Sequence, residues 1–158
     1  LTDTFRAPEL GALGYVASDR PRFYRAPTRK HTLDTEFDIA NLDRLPAVEI
    51  VYGYASASPA AVGAFLASGT QGLIHAGTGD GSVTDALKPS LLEARKKGVP
   101  VVRASRTGNG ITNPLEEDPQ DGFNSADNLN PQKARILLML ALTKTQDPKE
   151  IQRMFETY

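Results

Sequence analysis

Residues 72–105 read GLIHAGTGDGSVTDALKPSLLEARKKGVPVVRAS, in which two apolar runs flank a segment with helical spacing. An apolar run, 72–77, predicts a strand and ends in a glycine-rich loop. The stretch 85–98 then has helical spacing and ends in two lysines and a glycine, with Pro89 where the regular helix begins. A second strand, 99–105, follows at once. This order predicts two parallel strands of one sheet with a helix crossing between them.

The same alternation extends on both sides of this stretch. Ser58 and Pro59 precede a helical pattern as its cap and first position, and Asn130–Pro131 and Asp147–Pro148 repeat this arrangement. The segment 106–128 is rich in turn residues and is predicted to be a loop. The further predicted elements are a strand at 48–54 and helices at 58–69, 130–145 and 147–158. The sequence therefore predicts an α/β fold, a small Rossmann-like parallel sheet between helices, over about 47–158.

The first 46 residues have weak periodicity and many turn residues. The stretch 13–27 predicts a short hairpin with Ser18–Pro21 as its turn. Residues 28–46 are polar with few apolar anchors and predict a connecting segment. The chain begins at Leu1 without methionine, and we expect a processed or truncated polypeptide.

Composition excludes several classes of function. The 158 residues carry 18 basic and 19 acidic side chains, a formal net charge of −1, so no basic surface for nucleic acid or an anionic membrane is expected. The absence of cysteine excludes disulfides and thiolate metal sites. The two histidines, His31 and His75, lie far apart in sequence and form no metal motif. No apolar stretch approaches the ~20 residues that a membrane-spanning helix needs.

The glycine-rich loop, residues 77–82, follows a strand at the edge of the sheet where parallel α/β folds bind ligands. The dinucleotide fingerprint requires a glycine where Ser82 stands, the lysine of a P-loop is absent, and Asp80 would repel a phosphate. Two interpretations stay open. The glycines permit a tight turn and close packing, or the loop offers hydroxyls and a carboxylate to a small polar ligand such as an amino acid.

The segment LEEDPQD, 115–121, places four carboxylates within seven residues. It predicts either a solvated loop or a carboxylate that receives the α-ammonium group of a substrate. Arg103 and Arg106, at a strand end, can pair with carboxylates in a structural role. His75 is expected to be a packed, hydrogen-bonded side chain. No nucleophile with its base can be assembled from this chain.

Several motifs together resemble the C-terminal half of bacterial type II L-asparaginases and of the similar glutaminase-asparaginases. They occur in that family's order and extend over essentially the whole chain. The motifs are TDTF, GALGY, RKHT-x-D-x-x-FD, LP-x-V-x-I-x-Y-x-Y, AGTGDGS, VVRASRTGNG, LNPQKARILLMLALT and DPKEIQRMFETY. The resemblance implies that 1–27 is the tail end of an N-terminal domain, 28–46 an interdomain linker and 47–158 the C-terminal α/β domain.

The resemblance also implies an activity. Such enzymes hydrolyse L-asparagine, and to varying degrees L-glutamine, to the acid and ammonia through a threonine acyl-enzyme, without metal or organic cofactor. The nucleophile and its neighbours belong to the N-terminal domain, so no catalytic residue is expected in this chain. The implied assembly is a homotetramer, a dimer of dimers, in which the C-terminal domain completes a partner's site. The implied location is the periplasm, with the cytoplasm as the alternative.

Two positions of this sequence match the part of the site that a partner subunit lends. Ser82 matches a polar side chain of the glycine loop, and serine there accompanies relatives that accept glutamine more readily. Glu116 or Glu117 matches a glutamate near the substrate's amino group, with Glu116 slightly favoured. Two alternatives without catalysis remain: a small-ligand-binding regulatory domain, and an oligomerisation module that buries the apolar helix 134–143 against partners.

Overall fold

The computed structural model describes Arg6, Ala7 and residues 9–158, which divide into two compact units between Thr35 and Glu36. The TDTF motif and the other opening residues of the predicted segment 1–27 lie outside the described residues. The division into 1–27, 28–46 and 47–158 stays a prediction.

The first unit contains the predicted hairpin. Strands β1 (Gly14–Ala17) and β2 (Arg20–Phe23) pair antiparallel, and Ser18 and Asp19 form the turn with φ of +52° and +61°. The turn is shorter than the predicted Ser18–Pro21, because Pro21 lies in β2 opposite Val16. In an antiparallel ladder, hydrogen-bonded pairs alternate with pairs that are not hydrogen-bonded. Ala17 and Arg20 form the pair that closes the turn, and Val16 and Pro21 form the next pair. The missing N–H of Pro21 therefore costs no ladder bond.

The second unit is built on one parallel sheet, which confirms the predicted fold class. Four strands lie in the order β3-β4-β5-β6, and every neighbouring pair is parallel. Their bounds are β3 (Val48–Tyr52), β4 (Gly72–Gly77), β5 (Val101–Ser105) and β6 (Phe123–Ser125). All six residues of β4 are buried, as expected for an inner strand covered on both faces.

Helices cover both faces of this sheet. Helices α1 (Ala60–Ala67) and α2 (Lys88–Lys96) pack against β3 and β5 over one apolar cluster that includes Leu73 and Leu91. Helices α4 (Pro131–Ala141) and α5 (Pro148–Thr157) cover the other face around Ile74 and Phe155. Because successive residues of β4 point to opposite faces, its continuous apolar run supplies both clusters.

Helices α4 and α5 begin at the predicted caps. The side chain of Asn130 accepts the Lys133 N–H, and that of Asp147 accepts the Lys149 N–H, both at the starts of helices. Ser58 Oγ accepts the Ala60 N–H at 3.2 Å, but α1 begins at Ala60 with Pro59 as its cap, one residue later than predicted. Helix α2 begins at Lys88, next to Pro89 as predicted, and residues 85–87 precede it.

The predicted loop 106–128 contains two elements that its sequence does not indicate. They are α3 (Asp118–Asp121) and the edge strand β6, whose three residues are buried. The sequence FNS has no periodicity, and β6 is defined by its pairing with β5 and by contact with α5.

The apolar helix 134–143 lies within α4 and the residues just after it. Residues of α4 that face the sheet are fully buried, whereas Ile136 is 49% exposed. Most of the apolar side chains of this helix therefore pack in the core of the second unit. Among the described residues, no helix has the length and apolar character needed to cross a membrane.

Candidate functional site

The glycine-rich loop turns back on itself directly after β4. The Ser82 N–H donates to the carbonyl of Thr78 at 3.0 Å, and these two residues form an isolated antiparallel bridge. Gly79 and Gly81 hold φ values of +52° and +71°, in the left-handed region that glycine adopts most readily. The turn therefore ends at Ser82, at the carboxyl edge of the sheet.

Two glycines of this loop are required by close approach of the chain to itself. A Cβ on Gly77 would lie 2.5 Å from the carbonyl carbon of Gly81. A Cβ on Gly81 would lie 2.9 Å from Thr112 Cγ2 and 3.3 Å from the Ala104 nitrogen. The packing explanation therefore accounts for Gly77 and Gly81, and a bound phosphate is not needed to explain them.

A buried arginine lies beneath this loop. Arg103 of β5 donates from Nε to Asp118 Oδ1 at 2.9 Å and from Nη2 to Asp118 Oδ2. The two side chains are only 1% and 5% exposed, so both charges are removed from water and each compensates the other. The expected pairing of Arg103 with a carboxylate is observed, and its partner is the first residue of α3. Arg106 instead donates from Nε to the Gly53 carbonyl at 3.0 Å.

The same guanidinium connects the glycine loop to the segment that carries the acidic residues. Arg103 Nη1 donates to the Asp80 carbonyl at 2.7 Å, and Nη2 donates to the Asn113 carbonyl at 2.7 Å. The Asn113 N–H in turn donates to Asp80 Oδ1 at 2.6 Å. Asp80 is thus bonded through both its main chain and its side chain. The two loops that contain Ser82 and Glu116 are hydrogen-bonded to each other.

Two of the four carboxylates in 115–121 have structural partners. Asp118 Oδ2 accepts the Leu115 N–H at 2.7 Å in addition to its bonds with Arg103. Asp121 pairs with Lys88 at 2.7 Å, and this hydrogen bond raises the pKa of Lys88. The segment is therefore more than a solvated loop, because its two aspartates fix it to β5 and α2.

Ser82, Glu116 and Glu117 are all exposed, but the two glutamates have different surroundings. Within the described part of the chain, no group is bonded to the side chains of Ser82 or Glu116. Glu117 precedes α3, its carbonyl accepts the N–H groups of Gln120 and Asp121, and it lines a cavity of about 60 Å³ beside Lys88. Glu116 is not among the residues that line this cavity.

His75 is buried in β4, but the expected hydrogen bonds are not observed. Neither ring nitrogen has a partner among the described residues, so the prediction of a hydrogen-bonded side chain is wrong while that of a packed one holds. A Cβ on Gly53 would lie 2.9 Å from His75 Nε2, so a glycine there leaves room for the ring. Burial lowers the pKa of His75 to about 4. The nearby backbone of Gly81 acts to raise this pKa, and the positive charge of Arg103 acts to lower it.

Comparison with known proteins agrees with this architecture. Residues 47–155 match the glutaminase/asparaginase C-terminal domain. The chain is 47% identical over 157 residues to L-asparaginase 2 of Bacillus subtilis (strain 168), covering 99% of this chain and 42% of the relative. It is 47% identical over 160 residues to the glutaminase-asparaginase of Pseudomonas fluorescens biotype A, covering 99% and 44%.

A third relative carries a name that includes a location. The probable periplasmic L-asparaginase of Haemophilus influenzae (strain ATCC 51907 / DSM 11121 / KW20 / Rd) is 45% identical over 157 residues, covering 98% of this chain and 45% of the relative. The chain thus spans less than half the length of each of these relatives. With its parallel sheet, its glycine loop and a match to 47–155, this chain belongs to the glutaminase/asparaginase C-terminal domain family.

Proposed function

We propose that this chain is the substrate-binding part of an amidohydrolase that splits L-asparagine, and also L-glutamine, into the acid and ammonia. The observation that carries the proposal is the arrangement of two unpaired polar side chains, Ser82 and Glu116. They lie on loops that are hydrogen-bonded to each other at the carboxyl edge of a parallel sheet, where α/β folds bind ligands. Relatives named L-asparaginase and glutaminase-asparaginase support the choice of substrate class.

Glu116 is proposed to receive the α-ammonium group of the substrate. The Glu116 side chain is exposed and forms no hydrogen bond or ion pair with the described residues, so its carboxylate is free to bind an ammonium group. In a partly desolvated site such a charge-assisted hydrogen bond contributes about 1.5–3 kcal/mol. Glu117 is the less suitable candidate, because Lys88 already lies close enough to interact with its charge.

Ser82 is proposed to hydrogen-bond the same end of the substrate from the glycine loop. A hydroxyl both donates and accepts, so it can bind an ammonium group or a carboxylate oxygen. Its position at the end of a turn closed by the Thr78 carbonyl fixes its backbone, and this reduces the conformational entropy lost on binding. Ser82 and Glu116 therefore orient the substrate and do not themselves attack it.

The chemical step is proposed to come from a part of the enzyme outside this chain. We assign the nucleophile to a threonine of an N-terminal domain, which forms an acyl-enzyme and releases ammonia before water releases the acid. No metal or organic cofactor takes part in this scheme. The chain's contribution is to hold the amino acid so that its side-chain amide faces that threonine.

The assembly that brings the two parts together is proposed to be a homotetramer, a dimer of dimers, in which this domain completes a partner subunit's site. We propose the periplasm as the location, as the name of the Haemophilus influenzae relative suggests. Mass measurement by light scattering tests the assembly, because a tetramer and a dimer differ twofold in mass.

A hybrid enzyme tests the proposed function. In it, this chain replaces the matching part of Bacillus subtilis L-asparaginase 2, with which it is 47% identical. We expect the hybrid to release ammonia from L-asparagine and the remaining Bacillus subtilis part alone to release none. We also expect Ser82→Ala in the hybrid to raise KM with little change in kcat. A folded hybrid without activity would favour a binding or oligomerisation domain without catalysis, and a Ser82→Ala variant with unchanged KM would contradict the proposed role of Ser82.

A further inference from the structure

The proposed site depends on two loops that are far apart in sequence and each rich in turn residues. Exposed loops of this kind sample several conformations unless other contacts fix them. A substrate that must order both loops loses affinity by the cost of doing so. The groups that fix the loops before substrate arrives therefore influence affinity without touching the substrate.

Three hydrogen bonds form a closed ring between the two loops. Arg103 donates to the carbonyls of Asp80 and Asn113, and Asp80 Oδ1 accepts the Asn113 N–H. Asp80 lies two residues before Ser82 in the same tight turn. Because the ring includes main-chain atoms of both loops, movement of one loop displaces the other.

A second connection extends from the same guanidinium towards Glu116. Asp118, the ion-pair partner of Arg103, accepts the N–H of Leu115, the residue directly before Glu116. The backbone on one side of Glu116 is therefore bonded to the same buried pair as the backbone before Ser82. One buried charge pair is therefore bonded to the backbone close to both proposed binding groups.

We propose that Asp80 and Arg103 are positioning residues that hold Ser82 and Glu116 in a single arrangement suited to the amino group of the substrate. This inference rests on the proposed function. Asp80 acts through its carboxylate oxygen, which accepts the Asn113 N–H. Arg103 acts through the hydrogen bonds that it donates to the carbonyls of Asp80 and Asn113. Neither residue contacts the substrate in this scheme.

Asp80 offers the cleaner test of the two. Arg103 and Asp118 are almost fully buried, and removal of either would leave an uncompensated charge in the interior and destabilise the fold. Asp80 is only partly buried, and its carboxylate makes one loop-to-loop bond. Asp80→Ala removes that acceptor, whereas Asp80→Asn keeps an acceptor oxygen at the same place. Asp85→Ala is a matched control, because this exposed carboxylate lies just beyond the same loop.

The experiment measures KM and kcat for L-asparagine in the hybrid enzyme. We expect Asp80→Ala to raise KM by roughly three- to tenfold with kcat within about twofold of the parent. We expect Asp80→Asn to restore KM and Asp85→Ala to leave it unchanged. Amide hydrogen exchange of this chain gives an independent readout, in which Asp80→Ala accelerates exchange at Asn113 and Asp80→Asn does not.

The outcomes separate this inference from the proposed function. A parent hybrid without activity, or one whose KM does not respond to Glu116→Gln, overturns the proposed function. A hybrid that responds to Glu116→Gln but not to Asp80→Ala overturns only the positioning role. Equal changes in KM for Asp80→Ala and Asp80→Asn also contradict it, because a bond that needs only an acceptor would survive in the second variant.

Discussion

The buried His75 shows how one residue makes the stability of this chain depend on pH. Its pKa is about 4 in the fold and about 6.5 in an unfolded chain. Since the folded pKa is the lower one, the unfolded state binds more protons between these values. The contribution of His75 to the free energy of unfolding is therefore fully present above about pH 6.5 and decreases as the pH falls towards 4. Below about pH 4 this group changes the stability no further.

We expect His75→Leu to flatten this dependence. Between pH 7 and pH 4.5 the wild-type chain should lose about 2 kcal/mol of unfolding free energy through His75, and the variant should lose none of it. Urea unfolding of both chains at the two pH values measures the difference. Equal losses in the two chains would show that the ring is already protonated or hydrogen-bonded in the fold.

Gly81 combines backbone conformation and close packing at one position. Gly81→Ala would place a Cβ against Thr112 at a left-handed φ, and we expect a loss of about 2–4 kcal/mol of stability. Gly79→Ala is the matched control, because φ is also positive but the space is open, and we expect about 1–2 kcal/mol. Urea midpoints give both values. A Gly81→Ala loss no larger than that of the control would contradict the close approach of the loop to Thr112.

At the scale of elements, the parts of the fold with strong local patterns could be predicted from sequence. The apolar run of β4 and the capped starts of α4 and α5 depend on residues within one turn of each other. The edge strand β6 could not be predicted, because three residues without alternation acquire their conformation from β5. Likewise, the sequence suggests that Arg103 pairs with a carboxylate but cannot show which one, since Asp118 is 15 residues away.

The cap of α4 gives a test at this scale. Asn130→Ala removes the oxygen that accepts the Lys133 N–H, and we expect a loss of about 1 kcal/mol. Lys133→Ala is the matched control, because it keeps the backbone N–H and removes only an exposed side chain. Thermal unfolding of the two variants measures the difference. A similar small loss in both would indicate that water replaces the cap at no cost.

At the scale of the second unit, its first and last residues are joined. Tyr158 donates to Glu36 Oε1 at 2.7 Å and packs on Phe37 with ring centroids 4.9 Å apart. The Arg153 guanidinium, bonded to the same carboxylate, holds the pKa of Glu36 below its usual value. These contacts fix the segment that enters the α/β unit against its final helix.

We expect Tyr158→Ala to destabilise the chain by about 1–2 kcal/mol and to accelerate amide exchange in residues 36–40. Tyr158→Phe keeps the ring and should lose less than about 1 kcal/mol, because the hydroxyl contact is exposed. Urea unfolding measures the loss of stability, and amide hydrogen exchange measures the opening of residues 36–40. If the two variants lost equal stability, the hydroxyl bond rather than the ring contact would hold this segment.

At the scale of the whole molecule, Glu116 connects the fold to the proposed activity, and KM for L-asparagine in the hybrid enzyme measures its role. Glu116→Gln removes the charge that faces the substrate ammonium, and Glu117→Gln is the matched control on the adjacent residue. We predict that Glu116→Gln raises KM about tenfold while kcat changes little, and that Glu117→Gln leaves both near the parent values. The assignment of Glu116 as the ammonium-binding residue would be contradicted if KM rose only in Glu117→Gln, or if KM rose in neither variant.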